Sequence, residues 1–143
     1  MARRRWRMPT SDELRARIES RAGYRYEYCR APQAICGYRF HLEHIRPTAR
    51  GGSNSPSNRC LACASCNLAK GDRIEAPDPL TGREVRLFNP RRHVWHEHFQ
   101  WSSDQMHLLG MTPVGRATIV ALDLNGELRL PARLFWFEKG WLP

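Results

Sequence analysis

The chain has 143 residues, 41% of them apolar and 10% aromatic, which suits one globular unit able to bury roughly two thirds of its unfolded surface. No apolar run approaches the ~18 residues of a membrane span, and the basic start MARRRWRMPT has no apolar segment behind it, so it does not read as a secretion signal. The net charge of +9 is uneven: residues 1–50 hold 12 Lys and Arg against 5 Asp and Glu, while the last 43 residues hold four of each. Such a basic half attracts a polyanion, nucleic acid in the simplest case. Five Cys without a secretory signal read as thiols or metal ligands in a reducing cytoplasm.

Residues 1–10 read as a basic arm, with Arg3, Arg4 and Arg5 placed to hold a phosphate backbone. TSDELRARIESRAGY predicts a short helix capped by Thr10 or Ser11, with Asp12 and Glu13 at its positive end and Gly23 at its stop. Aromatic-rich Tyr24–Cys29 and then Arg39–Ile45 predict two strands, the second stopped by Pro47. A polar loop follows, then a short strand over Arg59–Cys63 and a short helix ended by Gly71. Beyond a Pro/Gly turn, a strand is expected over Glu84–Phe88. PRRHVWHEHFQW reads as a helical turn entering a strand that QMHLLGM continues. Thr112 as cap and Pro113 at the first helical position predict a helix to about Leu124, and a last helix holds Pro131 near its start. His93, His96 and His98 show no i, i+4 pair and, beside Trp95 and Phe99, read as an anchoring patch; His41 reads as a packing or surface residue.

The chemistry concentrates in FHLEHIRPTARGGSNSPSNRCLACASCNLAKGDR, from Phe40 to Arg73. Phosphodiester cleavage needs a water, a base for its proton, and a sink for charge on phosphate and leaving oxygen. A neutral imidazole is the natural base near pH 7, which points to His44. A hard ion such as Mg²⁺ or Mn²⁺ takes oxygen ligands and keeps positions for water and substrate. Glu43 supplies carboxylate oxygen and Asn67 amide oxygen. Asn58 suits a supporting task, accepting a hydrogen bond from one imidazole nitrogen and so aiming the other. Lys70 lies one helical turn after Asn67 and suits a phosphate contact, as does Arg46.

EHIRP, GGSN, SN, CASCN and Lys in this order resemble an HNH endonuclease, one of the ββα-metal nucleases. The resemblance covers residues 24–73. DPLTG, LFNPR, EHF and GRAT further on are similar to a bacterial subgroup. It implies an α+β chain: a ββα-metal finger preceded by a short helix and followed by a C-terminal extension of small strands and helices. It also implies Glu43 and Asn67 as ligands of the catalytic ion, with His44, Asn58 and Lys70 in catalysis. The expected organisation is an arm over 1–10, a nuclease core over 11–74 and an extension packing on it over 75–143.

In this family two C-x-x-C pairs hold a structural zinc. Here the later pair is Cys63 and Cys66, but the earlier reads YEYC, with Tyr26 in the first Cys position and Cys29 in the second. Three outcomes stay open: zinc on Cys29, Cys63 and Cys66 with another ligand, no zinc, or a full thiolate site using Cys36 or Cys60. The expected partner is DNA, with RNA as an alternative and no membrane. A non-catalytic nucleic-acid-binding zinc module is the rival reading.

Overall fold

The computed structural model describes residues 9–37 and 42–142. The expected arm cations Arg3, Arg4 and Arg5, along with His41 and the start of the expected Arg39–Ile45 strand, lie outside them. Helix α1 spans Ser11–Arg21. Thr10 and Glu13 close a reciprocal capping box, so two orphan amides at the helix start are satisfied. Ile18 is fully buried and anchors the helix.

The expected strand over Tyr24–Cys29 does not form. Tyr24 and Arg30 both take left-handed backbone, at φ 57° and 64°. The Tyr26 amide bonds the Ala31 carbonyl and the Arg30 amide bonds the Tyr26 carbonyl, leaving one isolated bridge between Arg25 and Pro32. Tyr26, Glu27, Tyr28 and Cys29 are all buried in succession. A strand with one solvated face would alternate, so these aromatics reach the core by coiling the backbone.

Strands β1 (Glu43–His44) and β2 (Arg59–Cys60) pair antiparallel, with Glu43 opposite Cys60 and His44 opposite Arg59. Both are shorter than expected. Gly51 sits at φ 79°, and at Gly52 a Cβ would stand 1.7 Å from the Arg46 carbonyl oxygen, so the intervening loop requires this pair. Helix α2 (Ala64–Lys70) starts at Cys63, whose sulfur accepts the Cys66 amide, and stops at Gly71.

The rest of the chain begins with a hairpin in which an unforeseen strand, β3 (Glu75–Pro77), pairs with β4 (Glu84–Arg86), the expected Glu84–Phe88 strand in shorter form. Asp78 organises its turn, accepting from the Leu80 amide, the Thr81 hydroxyl and both arms of Arg116. Helix α3 (Trp95–His98) runs into β5 (Phe99–Trp101), and β6 (Leu108–Gly110) returns beside it antiparallel instead of continuing it. Helix α4 (Pro113–Ala121) starts at its Thr112 cap as expected but ends short of Leu124. Helix α5 (Arg129–Glu138) closes the chain. Among the described residues the strands form only two-stranded antiparallel pairs beside the helices, an α+β arrangement.

One apolar cluster runs from Ile18 through Tyr28, Leu61 and Cys66 to Trp95, Phe99 and Leu122. Full burial of large side chains of this kind contributes ~1.5–3 kcal/mol each. Polar ties cross the same seam. The Trp95 indole donates to the Tyr28 carbonyl at 2.9 Å, and Arg73 donates to the Ala121 carbonyl at 2.6 Å. His93 lies tilted against Phe88, His98 lies edge-on to Phe88, and His96 lies edge-on to Trp95. Among the described residues no helix is long and apolar enough to cross a membrane.

Candidate active site and thiol cluster

Glu43, His44 and Asn67 line one crevice of about 190 Å³, with Pro47, Thr48 and Gly71. Strand β1 supplies the first two and the exposed face of α2 the third. Among the described residues the side-chain amide of Asn67 makes no hydrogen bond, while its backbone N–H donates to the Cys63 carbonyl. Glu43 is 6% exposed. Burial raises its pKa, and Lys70 opposes that rise. Its Oε1 stands 3.1 Å from Lys70 Nζ as an ion pair but has no hydrogen bond among the described residues. Its Oε2 accepts from the Cys60 thiol at 3.6 Å.

The phosphate contact expected of Lys70 is therefore not what its geometry offers. Lys70 is 2% exposed and donates to the Ile45 carbonyl at 3.0 Å. It is the internal counter-charge of Glu43. An ammonium cannot stay buried unpaired without large cost, and Glu43 is the partner that permits it.

The supporting role expected of Asn58 also falls elsewhere. Its oxygen accepts the Arg46 amide at 2.9 Å, and its NH₂ donates to the Arg46 and Ser53 carbonyls at 2.9 and 2.8 Å. Asn58 thus pins the loop that follows His44. The imidazole is held by two residues that sequence reasoning gave no role. His44 Nε2 lies 2.7 Å from Asn54 Oδ1 and 2.9 Å from Arg59 Nη1, and Arg59 also donates to the Leu42 carbonyl. Nε2 accepts from Arg59 when the ring proton is on Nδ1, and donates to Asn54 in the other tautomer. The signal for Arg59 was register: it is the cross-strand neighbour of His44. Arg46 is exposed, with its guanidinium turned to the Arg50 carbonyl at 2.6 Å.

Cys29, Cys63 and Cys66 bring their sulfurs within 4.8 Å of one another. A tetrahedral Zn–S bond of ~2.3 Å separates ligand sulfurs by ~3.8 Å, and Cys29 and Cys63 stand 3.9 Å apart. Soft thiolates at this spacing fit zinc. The three do not ionise alike. Hydrogen bonds from Cys29 and Cys66 hold the Cys63 thiol far below its ordinary pKa, while Cys29 and Cys66 are raised. Arg129 of α5 reaches the Cys66 sulfur at 3.2 Å. Tyr26 is fully buried and lines, with Cys29, Cys36 and Cys63, a cavity of about 270 Å³; burial, then the neighbouring Cys36, raises its phenol pKa. Cys60 lies apart, beside Glu43 and Tyr28.

For the catalytic ion, the donor set is the hard oxygen of Glu43 and of Asn67, and the Glu43 oxygen that lacks a hydrogen bond among the described residues offers a lone pair. These residues fit a divalent ion that competes with the Lys70 ammonium.

Residues 27–73 match the family model for HNH endonuclease. Comparison with curated proteins and with solved structures gives no match. About a third of the chain is thus similar to the HNH endonuclease family. That segment holds the crevice and all three clustered thiols.

Proposed function

We propose that this chain is a divalent-metal-dependent HNH endonuclease that hydrolyses phosphodiester bonds in DNA. The observation carrying the reading is the convergence of Glu43, His44 and Asn67 on one crevice within the matched segment. Mg²⁺ or Mn²⁺, held by Glu43 and Asn67, would neutralise charge on the scissile phosphate and leaving oxygen. His44 takes the proton of the attacking water. Asn54 accepts from Nε2–H in the tautomer that leaves Nδ1 able to take that proton, and Asn58 holds the loop that carries Asn54. Lys70 balances Glu43 until a cation of higher charge takes its place. Cys29, Cys63 and Cys66 would hold a structural zinc, which would tie the Tyr24–Ala31 turn to α2.

In this reading β1, β2 and α2 form the ββα-metal finger. Residues 1–10 are a basic arm, 11–74 the nuclease core and 75–143 an extension braced on it by Trp95, Arg73 and Arg129. The free thiols suit the reducing cytoplasm. The buried Glu43–Lys70 pair favours one rival, a non-catalytic nucleic-acid-binding zinc module, because that module has no need to release Glu43. Incubating supercoiled plasmid with the purified protein separates them. Nicking that requires Mg²⁺ or Mn²⁺ and stops with chelator supports the nuclease; DNA retention without nicking in either ion supports the module.

A further inference from the structure

A second cavity, of about 170 Å³, takes Lys70, the ion-pair partner of Glu43, as part of its wall. Its apolar lining comes from both halves of the chain: Ile45 beside His44, then Ile74, Leu87, Phe88 and Val114. An apolar cavity of ~150 Å³ accepts one benzene-sized ring, so this one admits a single planar heterocycle. Unlike a cavity that merely awaits repacking, it has cations at its edge. Arg86 at the end of β4 and Arg92 line it and are exposed, and among the described residues neither guanidinium has a hydrogen bond or ion pair. Other arginines nearby are engaged: Arg91 with Glu27, Arg73 with the Ala121 carbonyl, Arg116 with Asp78.

The wall also carries a hydrogen-bonding edge. The Asn89 amide donates to His93 Nδ1 at 3.0 Å, which leaves the other ring nitrogen of a neutral His93 as the N–H donor. Burial keeps that ring toward the neutral form, aided by His98 and Arg92. The cavity therefore combines a ring-sized apolar floor, polar groups at one edge and two unpaired cations at the rim.

We infer that this cavity is a nucleotide subsite, taking one unstacked base of a nucleic-acid strand whose flanking phosphates lie on Arg86 and Arg92. It rests on the endonuclease reading for why a strand is there, and it gives the segment after residue 74 a part in substrate binding. An unstacked base demands a single strand or a locally opened duplex. Two cavity-lining residues tie it to the crevice: Ile45 follows His44 in the chain, and Lys70 pairs with Glu43 at 3.1 Å.

The test uses the full chain carrying His44→Ala, so that substrate survives, and a labelled single-stranded 12-nucleotide DNA. Its affinity is compared with that for the same strand bearing an abasic nucleotide at its centre. The subsite predicts ~10-fold weaker binding of the abasic strand. Adding Val114→Phe, which fills the cavity, should erase that difference. Adding Arg86→Ala with Arg92→Ala, both exposed, should weaken both strands and reduce the log–log salt slope by about two. Equal affinity for the two strands in the parent background overturns the inference. So does a preference that survives Val114→Phe, or a mononucleotide that binds as tightly as the strand. If Val114→Phe melts far below its parent, the arginine pair decides, and an unchanged salt slope refutes the subsite. Base-dependent binding by a protein that, with His44 restored, never cuts would sink the nuclease reading and leave the subsite standing.

Discussion

Lys70→Met removes the counter-charge of Glu43 while keeping most of the side-chain volume. Lys70 and Glu43 are 2% and 6% exposed and 3.1 Å apart. Breaking one side of a buried pair costs about 3–5 kcal/mol. Glu43 has an escape: it can take up a proton, which from an ordinary carboxyl pKa of ~4.3 costs ~3.7 kcal/mol at pH 7. The loss is therefore capped near ~4 kcal/mol at that pH. At ~2.1 cal/mol/K per residue the unfolding entropy is ~0.3 kcal/mol/K, so Tm falls by ~10–13 °C. The sign with pH follows from burial, which raises the folded pKa of Glu43. A raised carboxyl stabilises the fold below its unfolded pKa and loses that contribution as pH climbs through the folded value. The Tm gap between Lys70→Met and the parent should thus shrink toward pH 4 and be full at pH 7. Mn²⁺ should raise the variant's Tm more than the parent's, because no ammonium competes for the carboxylate. Calorimetry at both pH values, with and without Mn²⁺, checks all three. A variant that melts within 2 °C of the parent at pH 7, or a gap independent of pH, refutes the pairing.

Cys63→Ser should lower both zinc content and Tm, since metal binding is coupled to folding, and Tyr26→Cys should raise both; elemental analysis beside melting curves reads this out. Gly52→Ala should cost more than ~2 kcal/mol, because its Cβ meets the Arg46 carbonyl oxygen at 1.7 Å and backbone must move; urea unfolding at constant slope measures it. Bonding from Arg116 holds the Asp78 carboxyl well below the usual carboxylate range. A depressed acid stabilises the fold above its unfolded pKa and loses that as pH falls, so the parent's Tm should drop on acidification below pH ~4 and Asp78→Asn should show a flatter profile.

What was legible in the sequence was local. Thr10 with Glu13, and Thr112 with Pro113, specify helix starts through their own backbones, and both helices begin where expected. The C-x-x-C at Cys63 placed a helix N-terminus for the same reason. What was not legible depends on who faces whom. Tyr24–Cys29 has strand composition, yet Tyr26 and Tyr28 are buried by a turn in which the Tyr26 amide closes on Ala31. The Glu75–Pro77 strand exists because Asp78 and Arg116, 38 residues apart, hold its turn. Lys70 reads as an end-of-helix cation until β1 is known to set Glu43 beside it. Asn54 and Arg59 reach His44 only through the loop fold and the β1–β2 register, neither of which spacing alone encodes.

The central claim is that His44 activates water for a metal-assisted cut. The direct measurement is the single-turnover rate of plasmid nicking in Mn²⁺ by the parent and by His44→Ala, with DNA affinity measured on the same preparations. Loss of a general base removes ~10²–10⁴-fold of rate, so the variant should nick at least ~100-fold more slowly while binding within about twofold of the parent. A His44→Ala protein that binds as well and nicks as fast as the parent would contradict it.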